Sequence, residues 1–389
     1  MLIKELKVAG LLSFAPQGII LPLRNLNVFI GPNGSGKSNL LEILALLKAA
    51  PVNLPVPMRE MGGVREWMWK PRLNGQEASI EAIVNYVGRH FLHHGLVIAD
   101  HGGRFEVVDE WIENELPNDQ HETPYLFYRF ARGHPVLNDS PQVRAAQRQL
   151  RRENIKPDQS VLSQIRDPER YPALSWLQEQ YQQIRLFRNW SFGPTASLRR
   201  EQNTHERGDF LSDGGDNLPL VLSNILTYVK SELLNSLRKL YDDIEDIHLQ
   251  INGGNVLLYL EEAKGRQIPA TRLSDGTLRY LCLLSILLHP DPPPLIALEE
   301  PELGLHPDII PHIAELLVRA SERTQLLVTT HSRMLVDALA TDPAHIVVCE
   351  RINGASNFKR LDPDALRTWL EQYSLGELWS MGQLGGNRW

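Results

Sequence analysis

A glycine-rich segment at residues 31–38 carries the residue types that bind phosphate groups. Its sequence, Gly-Pro-Asn-Gly-Ser-Gly-Lys-Ser, matches the pattern G-x-x-x-x-G-K-[ST] in full. Glycines let backbone N–H groups face a phosphate, the lysine reaches the β- and γ-phosphates, and the serine hydroxyl binds Mg²⁺. The segment predicts a nucleoside triphosphate and Mg²⁺ site built by Asn33, Gly34, Ser35, Gly36, Lys37, Ser38 and Asn39.

Two adjacent carboxylates, Glu299 and Glu300, follow the apolar run at residues 295–298. Ligands of α/β sheets bind at the carboxyl ends of the strands, and neighbouring residues of a strand point to opposite sides. One carboxylate can then hold Mg²⁺ while the other polarises the attacking water as a general base. We expect Glu299 to bind the metal and Glu300 to act on the water; the alternative is a solvated acidic turn.

Two further segments could contact the terminal phosphate. His331 follows another apolar run, so its imidazole could contact the γ-phosphate or the water, although a lone histidine at a strand end is most often a surface residue. The sequence Leu-Ser-Asp-Gly-Thr at 273–277 opens a predicted helix, whose N-terminus can bind an anion beside Ser274 and Gly276. That pattern is also typical of a plain helix cap, with Ser274 as the capping residue.

The elements around these residues are those of an α/β sheet. A strand-like run, Leu-Asn-Val-Phe-Ile, precedes the glycine-rich loop, and a helix-like run follows it at once. After residue 255, short apolar strands alternate with helices, which is typical of a parallel sheet covered by helices. The two ends of the chain are therefore similar in pattern, and the middle is expected to be an insertion.

The middle of the chain has other patterns. Residues 49–76 are expected to be irregular, short alternating runs up to about residue 132 predict an antiparallel sheet, and residues 140–190 are expected to be mostly helical. A hairpin is predicted with its turn at Asn252-Gly253-Gly254. An amphipathic helix is predicted by the apolar stripe Leu218, Leu222, Ile225, Val229, Leu233, Leu237 and Leu240. The predicted segments are residues 1–76, an antiparallel β lobe at 77–135, a helical or variable insertion at 136–254, and residues 255–389.

The overall composition excludes several classes of protein. The 389 residues include 40 basic and 47 acidic side chains, a net charge of -7, so no global positive field attracts nucleic acid or anionic lipid. Cys282 and Cys349 lie in apolar runs, where a free thiol behaves as a core residue, and this usage fits a reducing cytosol. No apolar run approaches the roughly 18 residues that cross a bilayer, and the N-terminus does not match a secretory signal. We expect a cytoplasmic protein without a membrane segment.

Taken in chain order, these motifs resemble the ATP-binding-cassette (ABC) type of ATPase. Only 25 residues separate Ser274 from Glu299 and 32 separate Glu299 from His331, whereas 237 separate Lys37 from Ser274. The long interval is similar to the SMC, RecF and OLD-like branch, in which a variable module is inserted. More narrowly, the whole chain resembles bacterial predicted ATPases that are AAA-named but ABC-like. The resemblance implies a P-loop NTPase fold with a mixed sheet, an antiparallel β lobe, and an ATPase head formed by residues 1–76 and 255–389.

The resemblance also implies a mechanism and partners. ATP and Mg²⁺ would bind at the glycine-rich loop (Walker A) and Glu299 (Walker B), and Ser274 and Gly276 (the signature) of a second copy would close the site in a homodimer. Glu300 and His331 would catalyse hydrolysis. In residues 301–307, the loop that contacts the partner copy, His306 stands where transporters usually carry aspartate. Nucleotide state would be coupled to DNA or to a separately encoded nuclease or toxin, in DNA repair and maintenance or in antiphage defence.

Alternatives from other classes stay open. The chain could bind ATP with slow or no hydrolysis and act as a scaffold or sensor that regulates a separately encoded nuclease or toxin, although intact Lys37, Glu300 and His331 argue against a dead enzyme. A cassette that energises a membrane transporter is disfavoured by the interval of 237 residues. The 58 residues after His331 leave no room for the nuclease domain of OLD proteins.

Several residues have two interpretations. The glutamine that helps hold Mg²⁺ in this family has two candidates, Gln159 and Gln164, and either is also an ordinary cap or surface amide. The histidine-rich run at 90–94 is expected to be a surface strand edge rather than a zinc site. A first basic cluster predicts either a solvated helix face or a stripe that follows DNA phosphates: Arg144, Arg148, Arg151 and Arg152. A second basic cluster is formed by Arg199 and Arg200.

Overall fold

The computed structural model describes residues 1–70, 76–86, 91–117, 122–131, 134–138, 147–149, 155–188 and 190–386. The strands in these ranges are β1 (Ile3–Ala9), β2 (Ile19–Pro22), β3 (Leu26–Ile30), β4 (Glu77–Asn85), β5 (Phe91–His101), β6 (Arg104–Asn114), β7 (Leu126–Ala131), β8 (His134–Asn138), β9 (Gln147–Gln149), β10 (Arg185–Phe187), β11 (Gln202–Asn203), β12 (Ile244–Asn252), β13 (Asn255–Glu262), β14 (Arg266–Pro269), β15 (Leu295–Glu299), β16 (Gln325–Thr330), β17 (Ile346–Ile352) and β18 (Ala355–Arg360). The helices are α1 (Lys37–Ala49), α2 (Val56–Glu60), α3 (Val64–Trp67), α4 (Val161–Gln164), α5 (Pro172–Gln182), α6 (Leu218–Leu240), α7 (Asp275–Leu287), α8 (Ile310–Ser321), α9 (Arg333–Ala338), α10 (Pro363–Leu370) and α11 (Leu375–Ser380).

The chain forms two compact units that divide it differently from the four predicted segments. The first unit contains residues 1–184 and 347–360 together with Gly385 and Gly386, and the second contains residues 185–346 and 361–384. Each unit therefore combines stretches from distant parts of the sequence. No helix among the described residues has both the length and the apolar character needed to cross a bilayer.

The first unit is dominated by an antiparallel sheet. Its strands lie in the order β2-β1-β4-β5-β6-β7-β8-β9. The predicted antiparallel strands between residues 77 and 132 are confirmed, but the sheet also includes β1 and β2 from the start of the chain. Alternation explains the pairing, because every second residue of strands such as β4 is buried while its neighbours face outward.

The first unit also carries the elements around the glycine-rich loop. Strand β3 is buried along its whole length, lies beside β17, and leads through the loop directly into α1. Strands β17 and β18 form an antiparallel hairpin. The segment predicted to be irregular, 49–76, contains the short helices α2 and α3.

The predicted helical stretch at 140–190 is only partly helical. In its described residues, α4 and α5 are helices, whereas Gln147–Gln149 is a strand that pairs with β8. The prediction of a helix at Arg148 is therefore wrong, because the next free edge of the sheet takes up this segment in extended form. The other members of the predicted basic stripe, Arg144, Arg151 and Arg152, lie outside the described residues.

The second unit contains two of the strands predicted after residue 255, β15 and β16, together with β10, which lies earlier in the chain. Strands β10, β15 and β16 pair in parallel in that order. Helix α7 is buried on nearly all sides, and α8 buries one apolar stripe. Cys282 in α7 and Cys349 in β17 are both buried, and burial raises the pKa of each thiol, which confirms that they are core residues.

The predicted long helix and hairpin are both present in the second unit. Helix α6 buries most of its apolar stripe, but Leu240 at its end and Val229 are only half-buried. At Val229 the backbone leaves the helical region and kinks the helix. The hairpin of β12 and β13 closes with Asn252 opposite Asn255, so Gly253 and Gly254 form the turn. Strands β11 and β14 extend this hairpin into a small antiparallel sheet.

Candidate functional site

The glycine-rich loop of the first unit is shaped by close backbone contacts. Gly31 has φ of 150°, and a Cβ atom there would lie 2.2 Å from the carbonyl oxygen of Cys349 in β17. Gly36 has φ of 102°, and a Cβ there would lie 2.0 Å from Oγ of Ser356 in β18. A residue with a side chain fits neither position, so the sequence requires glycine for both conformation and space. The loop can then turn its backbone toward a ligand at the first turn of α1.

Lys37 arches back over this loop. Its side chain is buried, and Nζ donates to the carbonyl oxygens of Gly31 at 2.7 Å and Pro32 at 3.1 Å. The ammonium charge is therefore held over the loop rather than extended into solvent. Ser38 is exposed at the start of α1, where its hydroxyl can reach a ligand. A hydroxyl and a carboxylate are suitable protein ligands for Mg²⁺, which takes its other oxygens from phosphates and water.

A set of hydroxyl groups braces the loop from behind. Oγ of Ser356 donates to the backbone carbonyl of Ser35 at 2.7 Å and accepts a hydrogen bond from the hydroxyl of Ser13 at 2.6 Å. The amide of Asn39, a predicted nucleotide ligand, donates to the same Ser13 oxygen at 2.7 Å. The backbone N–H of Ser356 also donates to the carbonyl of Ser13. These bonds tie the segment after β1 and the start of β18 to the loop, and they set its shape.

An open cavity of about 530 Å³ lies next to these hydroxyl groups in the first unit. Part of its wall is Ala15, two residues after Ser13, and Ala355, the residue before Ser356. The remaining wall is partly apolar and partly amide, formed by Pro16, Gln17, Trp69, Gln76, Ile352 and Asn353. An aromatic ring with nearby amides is a suitable surface for a nucleobase, which stacks on one face and forms hydrogen bonds along its edge.

In the second unit, the two adjacent carboxylates occupy different environments. Glu299 is the last residue of β15, and its carboxylate accepts a hydrogen bond from Nε of Arg188 at 3.3 Å. Glu300 leaves the strand with φ of 45°, in the left-handed region, and its N–H donates to the carbonyl of Thr329 at 2.9 Å. A residue other than glycine costs about 1–2 kcal/mol of conformational free energy in the left-handed region, so the surrounding contacts must hold Glu300 in this conformation.

His331 lies beside Glu300, as the positions of both at the ends of parallel strands predict. Nε2 of His331 is 3.5 Å from the Glu300 carboxylate, and each side chain is about one-third exposed. Both groups can therefore meet a ligand. Thr330, the last residue of β16, donates to the carboxylate of Glu302. Burial raises the pKa of Glu302, and the neighbouring charge of Glu300 raises it further.

The Leu-Ser-Asp-Gly-Thr segment caps α7. Oγ of Ser274 accepts the N–H of Thr277 at 3.1 Å, so the capping role is confirmed. Ser274 is nevertheless exposed, and the helix it opens has 13 residues. A Cβ on Gly276 would lie 3.1 Å from the carbonyl oxygen of Gly304, so this turn and the loop after Glu300 approach each other closely. An exposed helix N-terminus with small residues can accept an anionic ligand.

The model of the family AAA_21, described as "AAA domain, putative AbiEii toxin, Type IV TA system", matches residues 26–87 and 93–337. The chain belongs to the AAA_21 family. No protein of curated function matches the sequence.

Solved structures of Smc heads have a similar fold. The Smc head bound to the C-winged helix domain of ScpA has a TM-score of 0.58 at 14% identity, covering 94% of this chain and 99% of that chain. The Pyrococcus furiosus complex of an Smc head with an extended coiled coil and the C-terminal domain of ScpA has a TM-score of 0.54 at 12% identity, covering 95% and 98%. The Smc head with a coiled coil and joint from Pyrococcus yayanosii has a TM-score of 0.50 at 11% identity, covering 95% and 99%. The predicted fold, a P-loop ATPase head of SMC type, is thereby confirmed.

The two glutamine candidates of this AAA_21 chain are engaged elsewhere in the first unit. The Gln159 amide donates to Oδ1 of Asn53 at 3.1 Å and accepts the N–H of Leu54 at 3.3 Å. Oε1 of Gln164 accepts the N–H of Lys156 at 2.7 Å. Both amides thus stabilise local chain segments.

The histidine-rich run is a central part of the large sheet. Strand β5 pairs with β4 on one side and β6 on the other, so the prediction of a surface strand edge is wrong. His93 lies between the carboxylates of Glu81 at 2.9 Å and Glu113 at 3.2 Å, and His94 is 1% exposed and contacts the hydroxyl of Tyr181. His90 lies outside the described residues. Among the described residues no group of three or more His, Cys, Asp and Glu side chains could hold a metal.

Sequence analysis missed three arginines near the carboxylates and the signature. Arg188 is bound to Glu299, Arg279 of α7 donates to the carbonyl of Glu300 at 3.4 Å, and Arg199 is buried against the residues before α7. The available signal was weak: Arg188 directly follows a short apolar run, which is where a residue at the end of a parallel strand would stand. Arg199 was noted only as one of two adjacent basic residues, and the structure buries it.

Proposed function

We propose that this AAA_21 protein hydrolyses ATP in a homodimer in which each ATP is enclosed by two copies of the chain. Lys37 and Ser38 bind the phosphates and Mg²⁺, Glu299 is the Walker B metal ligand, and Ser274 of the other copy contacts the γ-phosphate. Asn33, Gly34, Ser35, Gly36 and Asn39 complete the loop, and Gly276 completes the signature. The observation that carries the proposal is the pair of Glu300 and His331, which lie 3.5 Å apart and are both accessible.

In the hydrolytic step, Glu300 acts as the general base. Its carboxylate accepts a proton from water while the water oxygen bonds to the γ-phosphorus and the bond to the bridging oxygen breaks. ADP leaves with that electron pair, and inorganic phosphate is released. His331 holds the Glu300 carboxylate and can donate to a γ-phosphate oxygen. Mg²⁺, when bound, neutralises charge on the β- and γ-phosphates.

The cavity beside the Walker A loop is proposed to hold the adenosine part of ATP, with Trp69 against the base. We expect Trp69→Ala to weaken ATP binding about tenfold, because stacking of a base on an aromatic ring contributes about 1–3 kcal/mol. Inorganic triphosphate, which has no base, should bind the variant and the unaltered chain equally. Equal losses for both ligands would contradict the assignment. Titration calorimetry measures both affinities.

ATP would hold the two copies together, and hydrolysis would release them. Binding that favours one of two states shifts the population toward it, so ATP drives the closed dimer and ADP does not. The nucleotide state is then coupled to DNA or to an effector protein, in DNA maintenance or antiphage defence. A protein effector is supported by the family description, which names a toxin of a toxin–antitoxin system, and by the Smc heads that are solved with ScpA.

The dimer is tested with a variant that binds ATP and hydrolyses it slowly. Glu300→Gln with ATP should sediment as a dimer, and adding Ser274→Arg should return it to a monomer because the large side chain fills the exposed signature turn. The control is Ser380→Arg, which alters a serine at the end of α11. A species that stays monomeric with ATP, with turnover unchanged by Ser274→Arg, would contradict the shared site.

A second candidate function is an ATP-dependent scaffold with slow or no hydrolysis that regulates a separately encoded nuclease or toxin. The ion pair between Arg188 and Glu299 favours it, because this carboxylate is already occupied by a cation. Steady-state phosphate release separates the two candidates. Turnover that falls with Glu300→Ala supports the ATPase, and a background rate that Glu300→Ala does not change supports the scaffold.

A further inference from the structure

Arg188 and residues 190–199, named here together the coupling segment, follow β10 along the chain in the second unit. At the start of the segment, Arg188 donates from Nε to the Glu299 carboxylate at 3.3 Å. The two side chains are 22% and 21% exposed, so the pair is mostly shielded from water. An ion pair in this setting is screened less than one on the surface. The start of the coupling segment is therefore attached to the proposed metal ligand.

Arg199, at the end of the coupling segment, holds the turn that carries the signature. Its guanidinium is 7% exposed and donates to the carbonyl oxygens of Leu273 at 2.6 Å and Ala270 at 3.2 Å. It also donates to the Asp275 carboxylate and, within the segment, to the carbonyl of Phe192 at 2.8 Å. The planar arrangement of donors in arginine serves all these acceptors at once, which lysine cannot do. The residues on both sides of Ser274 are thus fixed to the segment.

The middle of the coupling segment contacts the backbone of Glu300 through Arg279 of α7. The guanidinium of Arg279 lies over the rings of Phe192 at 5.1 Å and Trp190 at 5.6 Å. The same guanidinium donates to the carbonyl of Glu300 at 3.4 Å. Burial lowers the pKa of Arg279 because desolvation disfavours its charged form. One stretch of chain therefore contacts Glu299, the signature turn and, through Arg279, Glu300.

We infer that the coupling segment links the two ATP sites of the dimer, an inference that rests on the proposed function. In such a dimer, Glu299 serves the ATP bound to its own copy, whereas Ser274 serves the ATP bound to the other copy. Arg188 competes with Mg²⁺ for Glu299, so occupation of one site changes the position of Arg188. Arg199 passes this change to the signature turn. Filling the first site then raises the affinity of the second.

Hydrogen exchange tests the link in protein without nucleotide. In Arg188→Met, amide exchange in peptides covering residues 270–280 should be at least about threefold faster, because the segment that holds this turn loses its attachment to Glu299. Asp275→Asn, which weakens the other end, should have the same effect. The matched control is Asp364→Asn, an exposed aspartate that pairs with Arg367 in the first turn of α10. Unchanged exchange in Arg188→Met would overturn the inference.

A double-mutant cycle tests whether the two ends act together. In the Glu300→Gln background, Arg188→Met and Asp275→Asn should each lower the ATP concentration for half-maximal dimerisation about fivefold, because each leaves the signature turn in the state that filling the first site produces. The decrease in the double variant should be clearly smaller than the product of the two single decreases. When Arg188→Met is combined with the control Asp364→Asn, the fold-change should equal the product of the two single fold-changes. If the fold-change in the Arg188→Met, Asp275→Asn double variant equals the product of the two single fold-changes, the two ends are independent and the inference is overturned. Thermal unfolding of each variant excludes a loss of fold as the cause.

The outcomes separate this inference from the proposed function. If the unaltered chain and Glu300→Gln form no dimer with ATP, both fail. If the dimer forms but exchange at residues 270–280 does not respond to Arg188→Met, only the link through the coupling segment fails.

Discussion

The Walker A loop of the first unit and the catalytic edge of the second are built in opposite ways. The loop consists of eight consecutive residues, and its shape depends on backbone groups and on glycines that a Cβ atom would displace. The proposed catalytic edge consists of side chains from separate elements, namely Arg188, Glu299, Glu300 and His331. The site built from backbone groups should therefore be damaged most by substitutions that add side-chain atoms. The site built from side chains should be damaged most by substitutions that remove a functional group.

The largest effect is expected at the side-chain site. Glu300→Gln removes the proposed base and should lower kcat about 1000-fold, since a positioned general base contributes about 10²–10⁴. ATP affinity should change by less than about threefold, because Glu300 acts mainly in the transition state. Phosphate release at saturating ATP measures the rate. Glu371→Gln is the control, since Glu371 is exposed and directly follows α10. A kcat near that of the control would remove Glu300 from the mechanism.

The next effect is expected at the backbone site. Gly31→Ala should destabilise the fold by about 3 kcal/mol, because its Cβ would lie 2.2 Å from the carbonyl of Cys349 and the backbone is fixed there. Gly34→Ala is the matched control: it also has positive φ, but no atom lies within 4 Å of its Cβ position, so only about 1 kcal/mol of strain is expected. Urea unfolding measures both. Equal losses would contradict the explanation by close contact.

A smaller effect is expected from the hydroxyl groups behind the loop. Ser356→Ala should destabilise the fold by about 1–2 kcal/mol, because it leaves the carbonyl of Ser35 without its donor and the hydroxyl of Ser13 without its acceptor. Ser380→Ala removes only a bond to the carbonyl of Gly376 within a helix end and is the control. If Ser356→Ala proves as mild as the control, the hydroxyl groups do not brace the loop.

The smallest effect concerns the pH dependence of stability. The pKa of Glu302 is raised above its ordinary value of 4.5 by burial and by Glu300, so its contribution to stability is complete below that value and is lost as pH rises through the raised pKa. Glu302→Gln cannot ionise. Its Tm relative to the unaltered chain should therefore rise as the pH increases above 4.5. Thermal unfolding across this range is the measurement, and a constant difference would contradict the raised pKa.

The two regions also differ in how much of them could be predicted. The loop and the strand and helix on either side follow from a continuous pattern, and the meeting of Glu300 with His331 follows from the rule that ligands bind at the carboxyl ends of parallel strands. The strands of the β lobe could also be predicted, because apolar and polar residues alternate along them. The strand at Gln147–Gln149 was not, because pairing with β8 outweighs the local helical spacing. The histidine-rich run was placed at an edge because the sequence does not show which strands flank β5.

The sequence by itself determined the phosphate-binding loop, the acidic strand end and the ATPase head fold, because these depend on residues within one turn or one strand of each other. Only the tertiary structure decided that Arg188 occupies Glu299, that Arg199 holds the signature turn, and that Arg279 touches Glu300. Arg188 and Glu299 are 111 positions apart, and Arg199 and Asp275 are 76 apart. Contacts at such separations are set by packing of the whole unit, and a local pattern carries no trace of them.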